Sequence, residues 1–152
     1  MTIAQRLEDL GIELPKAAAP VASYQPLVVH GGLAHLSGQL PFIDGELVTG
    51  KLGADVGLER GQAAARACGL MIVAQLRAAD LLERVERIVR LGGFVASTPD
   101  FTDQPKVVNG ASDLMAEIFG DAGKHARSAV GVPVLPLNAA VEVDAIVAIR
   151  DA

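Results

Sequence analysis

The sequence is short of aromatic residues, basic residues and cysteine, and each shortage closes off a class of function. Of its 152 residues four are Phe, one is Tyr and none is Trp. Stacking surfaces for unpaired bases are built from such rings. Lys and Arg number 13 against 18 Asp and Glu, a net charge of −5 with histidine neutral. An acidic chain without a Lys/Arg cluster is poorly suited to gripping a phosphate backbone. The lone cysteine, Cys68, excludes an internal disulfide and any Cys-rich metal cluster. No apolar run approaches the roughly 18 residues of a membrane helix. Residues 1–12 carry Arg6, Glu8 and Asp9 instead of the apolar stretch of a secretory signal. These shortages predict a soluble, cytoplasmic protein with no membrane and no nucleic acid among its partners.

Aliphatic residues are what the chain has in excess. Hydrophobic residues make up 51%, with 25 alanines among them. One domain of this length buries a core unaided, but so much apolar surface is more easily hidden between subunits. An oligomer is expected; the alternative is an Ala-rich, tightly packed monomer.

Thr2 is placed to cap a short helix with Ile3, Leu7 and Leu10 on one face and Gly11 at its end. Pro15 to Pro20 reads as an extended connector. Strands are expected at Tyr24–Val29 and Leu33–Ser37 around Gly31-Gly32, and at Phe42–Ile43 and Glu46–Val48 around Asp44-Gly45. The spacing of Ala65, Cys68, Ile72 and Leu76 predicts a helix over 58–79, capped by Asp55. Val85–Ala96 reads as a strand with a bulge or close approach at Gly92-Gly93. Asp103 and Pro105 open a second long helix carrying Val107, Val108, Ala111, Leu114, Met115 and Ile118. Ser128–Val132 and Val141–Ile149 close the chain. The order β-β-β-α-β-α-β-β predicts an α+β fold, a mostly antiparallel sheet with two helices packed on one face.

Alternation in the last strand places Glu142 and Asp144 on one face and Val141, Val143, Ala145, Val147 and Ile149 on the other. Arg127, expected just before a strand and near the start of the next, offers either a bidentate clamp for a small carboxylate or an internal ion pair with Glu142 or Asp144. Spacing alone leaves both open. His30, His35 and His125 complete no recognisable ligand spacing, so no metal is expected. Cys68 reads as buried filler, and Ser37 and Ser128 lack a partner histidine at a motif spacing. Gly50, Gly53 and Gly57 are too irregular for a phosphate loop.

Several ordered pieces resemble the RidA/YjgF family of small trimeric proteins. They are Tyr24, Leu36-Ser37-Gly38-Gln39-Leu40-Pro41, Phe94-Val95-Ala96 with Asp100-Phe101, Asn109, Ala126-Arg127-Ser128 and Val141-Glu142-Val143-Asp144-Ala145-Ile146. The similarity runs from about residue 20 to the C-terminus, so 1–19 is expected as an N-terminal helix and connector and 20–152 as the RidA-like domain. The resemblance implies a chorismate-mutase-like homotrimer with ligand clefts between subunits. It implies hydrolysis of small 2-imino and enamine acids, such as 2-aminoacrylate or 2-iminobutyrate, to 2-keto acids and ammonia, without cofactor or metal. Carried over by residue, Arg127 binds the substrate carboxylate and Glu142 orients the attacking water. The backbone at Ser37 and Gly38 adds hydrogen bonds, and Tyr24 and Asn109 shape the cleft from an adjacent subunit. Asp144 supports. The chain departs from the family pattern at Ala129, Gly131 and His125, where many members have Cys, an acidic residue and Pro. A non-catalytic binder of small carboxylic metabolites is the alternative; RNA cleavage, a third reading, is disfavoured by charge and composition.

Overall fold

The computed structural model describes residues 1–20 and 22–152. A short helix, α1 (Ile3–Asp9), leads to strands β1 (Leu27–His30), β2 (Leu33–Gln39), β3 (Phe42–Ile43) and β4 (Glu46–Leu47). Helix α2 (Leu58–Ala78), strand β5 (Val85–Ala96) and helix α3 (Gln104–Phe119) follow, then β6 (Ala126–Val132) and β7 (Val141–Ile149). The main sheet has the order β1-β2-β7-β5-β6, and β3–β4 forms a ribbon of its own. All pairs in the main sheet are antiparallel except β5–β6. The α+β expectation of a mostly antiparallel sheet holds, with α1 as a third helix.

Local chemistry explains most element ends. Thr2 and Gln5 form a reciprocal capping box on α1, and the Glu83 carboxylate accepts the Ile3 and Ala4 N–H groups at 2.8 and 2.9 Å. Leu7 thereby enters the same core as the sheet. The expected Asp55 cap is not made. Gly57 occupies the N-cap of α2, while Asp55 accepts the Lys51 N–H at 2.7 Å, two residues too early to reach the helix. Tyr24 sits in a bend and does not open β1, which starts after Pro26, a residue with no N–H for the ladder.

Cross-strand partners share a face, so register decides which side chains meet the helices. Leu36, Ala145, Leu91 and Arg127 form one row across β2, β7, β5 and β6. The first three are buried beneath α2 and α3, so Arg127 points to the helix side. Glu142, Phe94 and Val130 form a row on the opposite face, with Asp144 on the same side. Among the described residues no helix covers that face; Val28 and Val130 on it are 53% and 45% exposed.

Glycines set the helix spacing. A methyl on Gly93 would lie 2.6 Å from Val108 of α3, the close approach expected there, although the irregular steps of β5 fall earlier, at Val85–Arg87 and Ile88–Arg90. A methyl on Gly110 would collide with the backbone carbonyl of Gln62 on α2. Backbone cannot yield as a side-chain tip can, so Gly110→Ala is expected to destabilise the fold by about 1–3 kcal/mol. Urea unfolding checks this: a midpoint equal to or above the wild type's would contradict the packing described.

Candidate functional site

Two groups of polar side chains stand out, one on each side of the sheet. The first is built around Arg127. Its Nη1 donates to Asn109 Oδ1 at 2.8 Å and to Ser112 Oγ at 3.1 Å. Asn109 and Ser112 are one helical step of three apart, so α3 presents both to β6 together. His125 extends the group, with Nε2 2.9 Å from Ser112 Oγ and Nδ1 2.7 Å from the Gly123 carbonyl oxygen. Among the described residues the ion pairs are Arg66–Glu117, Lys106–Asp103 and Lys124–Asp121, so no carboxylate neutralises Arg127. The internal ion pair with Glu142 or Asp144 is not formed. Arg127 lies within β6 and not before it, and the parallel pairing puts β5 between it and β7. Two acids on the far face are out of reach.

The second group is built around Glu142. Leu36 pairs with Ala145 and Gln39 with Val143, so Ser37 and Gly38 together oppose one residue, Asp144, in a β-bulge. Gly38 leaves room for the Glu142 carboxylate; a methyl there would lie 2.5 Å from Glu142 Oε2. Ser37 spends its donors internally, its N–H on Pro26 O at 2.9 Å and its hydroxyl on Gln25 O at 2.7 Å. Tyr24 lines a cavity of about 120 Å³ together with Pro26, Gly38, Leu40, Phe42 and Gln75. Asp144 sits over Gly92, near Arg90.

Electrostatics separate the two groups as geometry does. Burial first, then the neighbouring Asp144, raises the Glu142 carboxyl above the usual glutamate range. Burial, and to a smaller degree Arg127, lowers the His125 imidazole, against an opposing hydrogen bond to Gly123.

Ser37, Gly38 and Glu142 therefore gather on one side of the sheet and Arg127 and Asn109 on the other, while Tyr24 shares its cavity with Gly38 and with Gln75 of α2. Asn109 accompanies Arg127 within one chain and is not brought to it from a neighbour. Ser112 escaped the sequence reading, and His125 entered it only as a candidate metal ligand and a departure from the family pattern. The signal for them was present: Asn109-x-x-Ser112 has helical spacing, and His125-x-Arg127 has the two-residue spacing of one strand face.

The profile of a family described as "YjgF/chorismate mutase-like, putative endoribonuclease" matches residues 4–148. The chain belongs to the YjgF/RidA family. The matched span begins inside α1, earlier than the residue 20 expected. A Trypanosoma cruzi relative, Protein TCP17, is 53% identical over 98% of this chain and 95% of its own. A Dermatophagoides farinae relative named 2-iminobutanoate/2-iminopropanoate deaminase is 31% identical over 91% of this chain and 95% of its own. The solved structure of Atu1372 from Agrobacterium tumefaciens, a protein of unknown function, superposes with a TM-score of 0.90 at 47% identity. It covers 97% of this chain and 92% of that one. No helix among the described residues is long and apolar enough to cross a membrane.

A carboxyl whose value is raised on folding favours its protonated form, so its contribution to stability is full below the unfolded value and is lost as pH rises through the folded one. Glu142→Gln is accordingly expected to raise Tm at about pH 7 and to change it little at about pH 4. Thermal melts at the two pH values test the sign; a variant less stable at neutral pH would contradict it.

Proposed function

We propose that this YjgF/RidA protein hydrolyses small 2-imino and enamine acids to 2-keto acids and ammonia, in clefts between the subunits of a homotrimer. The observation that carries the reading is the Arg127 guanidinium, held by neutral oxygens of Asn109 and Ser112 and paired with no acid among the described residues. A cation so held keeps its charge for a guest carboxylate. The Dermatophagoides relative's name supports the reaction class.

Arg127 and Glu142 point to opposite faces of their own sheet, so one chain supplies two half-sites. A cleft joining Arg127 and Asn109 of one copy to Tyr24, Ser37, Gly38 and Glu142 of the next would complete both. The uncovered sheet face, with Val28, Phe94, Val130 and Ile146 on it, supports such an assembly. A three-fold arrangement is adopted from the family resemblance.

The chemistry follows from position. The protonated imine carbon is already electrophilic. Glu142, its basicity raised by burial and by Asp144, accepts a proton from water as the oxygen bonds to that carbon. The resulting amino alcohol takes the proton back on nitrogen; as the C–N bond breaks with its electron pair leaving on ammonia, the hydroxyl proton passes to the Glu142 carboxylate and a keto group remains. Ser37, with its donors spent, serves through its oxygen lone pairs and by shaping the bulge.

Ammonia and keto-acid release from freshly generated 2-iminobutyrate tests the reaction. Arg127→Ala is expected to lower kcat/KM about a hundredfold, the scale of a lost charge-assisted pair. Glu142→Gln is expected to lower kcat by about a hundredfold or more, the scale of a general base. Wild type no faster than buffer ends the catalytic reading; retained carboxylate binding would then leave the non-catalytic binder. Co-folding the two inactive variants in equal amounts should restore about a quarter of wild-type activity, since one random cleft in four pairs an intact Arg127 with an intact Glu142. No recovery from a mixed trimer would place both residues in one copy's site.

A further inference from the structure

Arg127 is held by a chain of hydrogen bonds whose direction is fixed at its far end. The Gly123 carbonyl oxygen, 2.7 Å from His125 Nδ1, can only accept, so Nδ1 carries the hydrogen. In the neutral ring Nε2 is then the acceptor, and the single hydroxyl hydrogen of Ser112 goes to it across 2.9 Å. The Ser112 oxygen is left to accept from Arg127 Nη1 at 3.1 Å, and Asn109 Oδ1 takes the other Nη1 hydrogen at 2.8 Å. Both hydrogens of Nη1 are spent. Nε and Nη2 donate to nothing among the described residues, and they form the side-on fork that a carboxylate takes bidentately.

We propose that Ser112 and His125 are positioning residues, which pin Nη1 of Arg127 and so present its Nε/Nη2 edge to the anionic end of the substrate. The proposal rests on the carboxylate-binding reading above and adds the device that sets which edge is offered. The surrounding charges leave the chain intact. Lys124 and Asp121, in the turn before His125, pair with each other at 3.2 Å, and Asp113 on α3 is exposed. Arg87 on β5 donates to the Lys124 carbonyl. Burial first, and Arg127 to a smaller degree, lower the imidazole against the hydrogen bond to Gly123, which favours the neutral ring near pH 7. A protonated ring would make Nε2 a donor, turn the Ser112 hydroxyl away and set a second cation beside the first.

The test uses the full-length protein and 2-oxobutyrate as the probe. Nitrogen NMR of the wild type should show His125 as the Nδ1–H tautomer and slowed rotation of the Arg127 guanidinium. Ser112→Ala should weaken 2-oxobutyrate binding about tenfold and release the guanidinium, while Ser112→Thr, which keeps the hydroxyl, should stay within about twofold. In turnover Ser112→Ala should raise KM more than it lowers kcat. His125→Phe should match Ser112→Ala; if it does not fold, the tautomer and the serine pair decide alone. An Nε2–H tautomer, or undiminished binding by Ser112→Ala, overturns the proposal. A wild type that does not bind 2-oxobutyrate overturns the underlying carboxylate reading and this proposal with it, a result distinct from failure of the chain alone.

Discussion

The rest of the arrangement depends on a cation, Arg127, that the described residues leave without a counter-charge. A guanidinium facing a carboxylate is already satisfied, and a guest would have to displace that partner before binding. A guanidinium steadied by an amide oxygen and a hydroxyl keeps its charge while losing its freedom. That preorganisation reduces the ordering cost of taking an anion. It also explains why α3 lies so close to its neighbours. Gly110 lets α3 approach α2, and Gly93 admits Val108 over β5, so the turn bearing Asn109 and Ser112 reaches the edge strand β6.

The acids obey a different constraint. β7 is central, one face is covered by helices, and alternation sends Glu142 and Asp144 to the uncovered face. There Glu142 is half-buried against the Ser37–Gly38 bulge with a second carboxylate nearby, and both effects disfavour its charge. Such a carboxyl is costly to the fold at neutral pH and well suited to accepting a proton. The same parity that raises its basicity keeps it from Arg127 within one chain, which is why the proposed cleft draws the two from different copies.

Comparison with relatives fixes the family and leaves the activity to the residues. The family description speaks of an endoribonuclease and the Dermatophagoides relative is named a deaminase, while the Trypanosoma and Agrobacterium relatives carry no activity in their names. The chain's own chemistry favours the small-molecule reading: an unpaired guanidinium beside an amide oxygen suits a carboxylate, and a net charge of −5 with few aromatics does not suit RNA.

By itself the sequence determined the periodic parts of this protein. Val85–Ala96 and Val141–Ile149 were legible to the residue, and α2 nearly so, because alternation and helical spacing are local properties of the chain. The two faces of β7 were legible for the same reason. Features that depend on who meets whom were not. The Asp55 carboxylate, read as a cap, turned to a nearer N–H group, and Tyr24 was stranded in a bend by Pro26. Tertiary structure alone decided that β6 runs parallel to β5, which separates Arg127 from Glu142. It also decided that α3 brings Ser112 against His125, since sequence distance carries no information about which strand becomes a neighbour.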